Sequence, residues 1–176
     1  MRRFLIAGLV GIGLIAAACS PTADEPTPDA TDYTLYLVRH AEKQGGDDPA
    51  LTTEGGQRAV DLADRLEEAG IEKIWSSDFR RTRATAEPLA KRLGLDVVIY
   101  DANDLASLAE GLKSDGVTAL VVGHSNTTPE LSDLLGGEAG SPIDEAAEYD
   151  RLYVLNGVGS ETVDTQIERY GVAFGG

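Results

Sequence analysis

The chain holds two histidines, and each closes an apolar run of strand length. Leu35-Tyr36-Leu37-Val38 leads into Arg39-His40, and Ala119-Leu120-Val121-Val122 leads into Gly123-His124-Ser125. A strand buried on both faces reads as a continuous apolar run, whereas a strand with one wet face alternates. Two such strands point to a parallel sheet covered by helices, and ligands of such sheets bind outside the carboxyl ends of the strands. Both imidazoles are therefore expected in one crevice, one of them beside an arginine. That combination suits an anion, and a histidine placed there can serve as nucleophile or base.

The remaining patterning agrees with such a sheet. Strands are expected at 33–38, 71–75, 97–100 and 118–122. Between them Ala59, Leu62, Ala63 and Leu66 fall at helical spacing, as do Leu105, Leu108, Ala109 and Leu112, with Asp104 as a cap and Gly70 as a stop. Ser76-Ser77-Asp78 offers N-cap chemistry for a helix running toward Leu93, which Pro88 is expected to kink or break near Glu87. Thr127-Thr128-Pro129-Glu130 opens a shorter helix ending at Gly136-Gly137. Residues 141–148 read as an acidic, irregular insertion. Segments 152–155 and 163–167 flank Asn156-Gly157 as a closing antiparallel pair. The expected class is α/β: a three-layer sandwich with a mainly parallel central sheet and helices on both faces.

The start of the chain reads differently. Met1-Arg2-Arg3, an apolar run from Phe4 to Ala18 and then Cys19 have the layout of an export signal over residues 1–19. Ala16-Ala17-Ala18-Cys19-Ser20 resembles the lipobox of bacterial lipoproteins, in which the cysteine is lipidated after cleavage. The expected location is then exported and membrane-anchored, facing the periplasm or the cell exterior. Residues 20–31 carry three of the seven prolines and no large apolar residue, so they are read as a disordered linker. Residues 32–176 suit one domain. Cys19 is the sole cysteine, so no internal disulfide staples it.

The formal net charge is −15, and without residues 1–18 it is −17, since Arg2 and Arg3 leave and no acid does. This argues against nucleic acid as a partner and leaves an N-terminal lipid as the sole grip on a membrane. An acidic protein that binds an anion must gather its few bases in one place. Arg39 is one candidate, because its planar fork matches two phosphate oxygens. Arg80, Arg81 and Arg83 follow the second strand; Arg80 and Arg83 share one helix face, while Arg81 points elsewhere. Gly123 lets the backbone approach a ligand closely, and the next helix N-terminus offers N–H groups to an anion.

Four segments in order, VRHAEK, LTTEGGQRA, SSDFRRTRATAEPLA and VVGHSNT, resemble the histidine phosphatase superfamily, the phosphoglycerate-mutase-like group, in its small branch. The resemblance implies that His40 is the nucleophile that becomes phosphorylated, that Arg39 and Arg81 bind the phosphoryl group, and that His124 is the second histidine of the pocket, with Ser125 beside it. It implies a two-step transfer through phosphohistidine, with Arg39, Arg81 and His124 supplying positive charge and no metal or cofactor required. Ala41 stands where the best-known members have glycine. The loop after it lacks the asparagine of mutase-type members, which favours a phosphatase. Asp101 and Glu42 are the candidates for the general acid, with His124 a third donor. The loops at 41–51 and 136–149 are expected to choose the leaving group, the second through Glu138, Asp144, Glu145 and Glu148. The partner implied is a small phosphorylated substrate, and the domain is expected to be a monomer.

Two other readings compete. A metallohydrolase could use both histidines with Glu42, Asp101 or Asp104, but the sequence has no H-x-x-x-H or H-x-H spacing. A lipoprotein of the same fold could bind phosphate or another anion without turnover.

Overall fold

The computed structural model describes residues 33–173. The expected export signal, the linker and Cys19 lie outside the described residues. Among the described residues no helix is long and apolar enough to cross a membrane.

The elements follow one another as β1 (Thr34–Arg39), α1 (Thr53–Leu66), β2 (Lys73–Ser77), α2 (Arg80–Leu93), β3 (Val97–Tyr100), α3 (Leu105–Asp115), β4 (Ala119–Gly123), α4 (Thr127–Leu134), β5 (Arg151–Asn156) and β6 (Asp164–Arg169). They form one six-stranded sheet in the order β3-β2-β4-β1-β5-β6. The β3, β2, β4 and β1 strands run parallel, and β5 and β6 close the sheet antiparallel. The architecture is the expected α/β sandwich with a mainly parallel sheet.

Strand periodicity sorts the core into two layers. Leu35 and Leu37 of β1, Val121 of β4 and Tyr153 and Leu155 of β5 pack with Leu105, Leu108 and Leu112 of α3 and Leu131 of α4. Val38, Leu120, Val122 and Leu152 point to the opposite face, against Leu62 and Leu66 of α1 and Ala86 and Leu89 of α2. Successive residues of β1 thus enter different layers, which is why its sequence is apolar throughout. Each fully buried leucine contributes about 1.5–3 kcal/mol of transfer free energy.

The β4 strand lies between β1 and β2, so the chain crosses from β1 to β2 over a strand added later. Arg39 is level with Gly123, and the His40 N–H donates to the Gly123 carbonyl at 2.9 Å. His40 and His124 therefore leave neighbouring parallel strands at the same height. The carboxyl end of β2 lies on the far side of β4, and it brings Ser77 and the start of α2 to the same edge of the sheet.

Two local expectations are corrected. Ser76 and Ser77 belong to β2, and the N-cap residue of α2 is Phe79, which offers no side-chain cap. Asp48, from the loop after β1, caps the helix instead: its Oδ1 accepts from the Arg80 N–H at 2.8 Å. Pro88 does not break α2, which runs unbroken to Leu93. Proline removes one main-chain bond, at a cost of about 3 kcal/mol. Leu89 and Ala90 are buried beyond it, and their packing with Leu62 and Leu66 of α1 holds the helix together.

Candidate active site

The carboxyl ends of β1, β2 and β4 open into a cavity of about 270 Å³ lined by His40, Arg81, His124 and Ser125, among others. Ligand pockets of drug size begin near 300 Å³, so the space suits a small ligand.

His40 is 3% exposed. Its Nδ1 lies 2.8 Å from the Ala41 carbonyl. A carbonyl only accepts, so Nδ1 carries the proton and Nε2 keeps its lone pair. Burial pushes the His40 pKa down to about 3; the Ala41 carbonyl opposes this, while Arg39, Arg81 and His124 add to it. The ring is therefore neutral and nucleophilic at physiological pH.

The His124 ring stands 5.5 Å from that of His40, centroid to centroid, nearly edge-on. Arg81 Nη2 approaches its Nδ1 at 3.4 Å. Arginine has no acceptor, so Nδ1 holds the lone pair, and Nε2–H donates to Ser77 Oγ at 2.9 Å. The Ser77 hydroxyl donates in turn to Thr82 Oγ1 at 3.1 Å. Burial, with the charges of Arg81 and Arg39, lowers the His124 pKa to about 4. At neutral pH both histidines are uncharged, so the positive charge lining the free cavity comes from Arg81 and Lys43 and not from His124.

Arg81 reaches the cavity, as the resemblance implies, while Arg83, on another face of α2, turns outward to pair with Asp78. The Arg81 guanidinium lies 4.4 Å over the Phe79 ring and 3.8 Å from Asp48. Its buried Nε has no hydrogen-bond partner among the described residues.

Arg39 is 2% exposed, and its guanidinium is largely occupied. Nη1 donates to the carbonyls of Asp144 at 3.2 Å and Glu148 at 2.9 Å, and Nη2 to that of Glu145 at 2.7 Å. Tyr149 stacks 4.0 Å from it. The expected phosphate ligand thus holds the 144–148 segment, and its buried Nε has no partner among the described residues.

The two expected acids are placed elsewhere. Glu42 receives a bidentate bond from Arg58, with Nε 2.9 Å from each carboxylate oxygen, and Arg58 also donates to the carbonyls of Tyr170 and Val172. This pair pins the end of the described chain to α1. Asp101 is exposed, accepts from Asn103 within its own turn and lines a neighbouring depression rather than the histidine cavity. Asp104 caps α3, accepting from the Ser107 N–H and hydroxyl.

Of the four acids expected from the second loop, Glu145 lines the cavity. Glu148 is buried between Arg151 and Arg169. Asp144 accepts from the Ala146 N–H, and Glu138 is exposed beside β6. The first loop contributes Lys43. Sequence reasoning missed the place of Ser77 behind His124 and the cap from Asp48. The first was masked by reading Ser77 as a helix cap, and the second is non-local. Gly123 answers to its own chain: an added Cβ would stand 2.9 Å from Thr127 Oγ1 and 3.0 Å from the Tyr100 hydroxyl. Among the described residues no three His, Cys, Asp or Glu side chains gather as a metal site.

This geometry places a neutral imidazole, a cation and a second imidazole around one small cavity. Residues 35–111 match the histidine phosphatase superfamily, branch 1. The curated "Probable phosphoglycerate mutase GpmB" of Escherichia coli O1:K1 / APEC is 44% identical over 72 residues, 36% of this chain and 34% of that protein. The chain spans about a third of the length of the curated relatives it matches. A mycobacterial glucosyl-3-phosphoglycerate phosphatase shares the fold at 18% identity, with a TM-score of 0.60 over 80% of this chain and 99% of that one. A structure bearing the name of the phosphohistidine phosphatase SixA, from Agrobacterium tumefaciens, does so at 19% identity and a TM-score of 0.59, over 81% and 99%.

The depressed histidines carry a pH signature. Between the ordinary value of 6.5 and the folded value near 3, the unfolded chain binds a proton at His40 that the folded protein refuses. The stability tied to neutral His40 is fully present above pH 6.5 and is lost progressively as pH falls toward 3. Acidification from about pH 6.5 to about pH 5 removes about 2 kcal/mol through His40. Urea unfolding at both pH values checks this, because His40→Asn loses about 2 kcal/mol less than wild type. Equal losses contradict the buried, neutral ring.

Proposed function

We propose that the chain is a metal-independent phosphatase of the histidine phosphatase superfamily, hydrolysing phosphomonoesters or phosphohistidine through a phosphohistidine formed on His40. One observation carries this reading. The bond from His40 Nδ1 to the Ala41 carbonyl leaves the Nε2 lone pair of a neutral ring at the cavity shared with Arg81 and His124. Nε2 attacks phosphorus in line as the ester P–O bond breaks; water then attacks phosphorus from the side the alcohol left, opposite His40, and the P–N bond breaks. Phosphoryl transfer passes through a loose transition state, so positioning and positive charge supply most of the catalysis. Arg81 contributes through its unpartnered Nε and its Nη groups, and the Ser77–His124 bond fixes the second ring.

The same reading takes a small phosphorylated molecule as the partner, sets nucleic acid aside on charge, and treats the domain as a monomer exported and tethered through a lipid on Cys19. The test is phosphate release from p-nitrophenyl phosphate by the wild-type protein with and without chelator. Release that the chelator leaves untouched is expected. Release abolished by chelator, or vanadate binding without any release, contradicts the reading.

A further inference from the structure

We propose that Glu145 is the acid that protonates the leaving oxygen, a catalytic role within the His40 site. The assignment rests on the phosphohistidine reading above and deepens it.

Three observations support it. The acids that the sequence offers are committed or displaced: Glu42 spends both carboxylate oxygens on Arg58, and Asp101 closes its own turn outside the cavity. Among the residues lining the histidine cavity, Glu145 carries the sole carboxyl group. Its main chain is also fixed relative to the nucleophile. The Glu145 carbonyl accepts from Arg39 Nη2 at 2.7 Å, and the flanking carbonyls of Asp144 and Glu148 accept from Nη1. Arg39 is bonded directly to His40 in sequence. Glu145 is exposed at the cavity, and one buried guanidinium ties the main chain that bears it to the residue beside the nucleophile.

The step balances. Nε2 of His40 forms the P–N bond as the P–O bond to the leaving group breaks, and the proton of the Glu145 carboxyl moves to that oxygen. The alcohol departs neutral, and Glu145 is left as a carboxylate. In the second step the carboxylate takes a proton from water as its oxygen attacks phosphorus. The P–N bond breaks, His40 returns neutral and Glu145 is protonated again. Phenols of low pKa leave without such help, whereas alcohols do not.

The experiment measures kcat of the full chain on p-nitrophenyl phosphate and on 2-glycerophosphate, for wild type, Glu145→Gln and Asp101→Asn. In Glu145→Gln, turnover of the glycerol ester falls about 100-fold or more and turnover of the aryl ester less than tenfold, within the usual 10²–10⁴ of general acid catalysis. Asp101→Asn shows no such grading. Equal losses on both esters, an undiminished glycerol ester rate, or a graded loss in Asp101→Asn instead would each overturn the assignment. His40→Asn, run beside them, separates the two readings. If it still turns over the aryl ester, the phosphohistidine step itself is wrong and this proposal falls with it. If it is inactive while Glu145→Gln loses both esters equally, the phosphohistidine step stands and only the acid is misassigned.

Discussion

Replacing His40 by asparagine lowers kcat for phosphate release by about 10⁴-fold or more, the scale seen when a covalent nucleophile is removed. Asparagine is the informative choice. Its amide N–H lies near the position of Nδ1 and can keep the bond to the Ala41 carbonyl. It has nothing at the position of Nε2, so no P–N bond forms. The backbone is held independently, since the residue 40 N–H donates to the Gly123 carbonyl across the β1–β4 pair. The variant should therefore unfold cooperatively near the wild-type midpoint at pH 7 while losing turnover. The measurement is single-turnover phosphate release alongside urea unfolding. Activity within tenfold of wild type would remove His40 as nucleophile, and loss of folding would leave Arg81→Ala as the probe of the same cavity.

Arg39→Ala has the largest expected effect on stability, about 3–5 kcal/mol. The guanidinium is 2% exposed and donates to three main-chain carbonyls. Removing it leaves acceptors of the 144–148 segment without a donor, at about 1–3 kcal/mol for each that stays buried. It also removes the cation over the Tyr149 ring, worth about 0.5–2 kcal/mol. Lysine does not rescue the site fully, because one ammonium cannot reproduce a planar fork serving three carbonyls. Denaturant unfolding checks the loss, and a change below about 1 kcal/mol would contradict the anchoring described for this arginine. Catalysis should fall in the same variant, since the segment that Arg39 holds carries Glu145.

Much of this molecule is written in short-range patterns. The four parallel strands and the α1 and α3 stripes follow from apolar spacing alone. Val97–Tyr100 forms the strand expected there, and Asp104 caps α3 as its residue type suggests. His40, Arg81, His124 and Ser125 meet because strand order, and not sequence distance, sets the cavity. That order is legible in part, since histidines at the ends of parallel strands share an edge. What the sequence hides is long-range pairing. Glu42 looks like a free acid beside His40 until Arg58, sixteen positions on, claims it. Arg39 looks like a free phosphate ligand until a segment more than a hundred residues away folds over it. Asp48 caps a helix thirty-two residues distant. Pro88 marks a break by local rules, yet the helix continues because packing beyond it outweighs one lost bond.

The most direct test of the whole account is to trap the intermediate. The protein is mixed with p-nitrophenyl phosphate, quenched in alkaline denaturant to protect an acid-labile P–N bond, and digested for peptide mass spectrometry. The account predicts a phosphoryl group on the peptide containing His40, absent from His40→Asn and discharged as the substrate is exhausted. Turnover with no phosphopeptide, or with the phosphoryl group on His124, would contradict it.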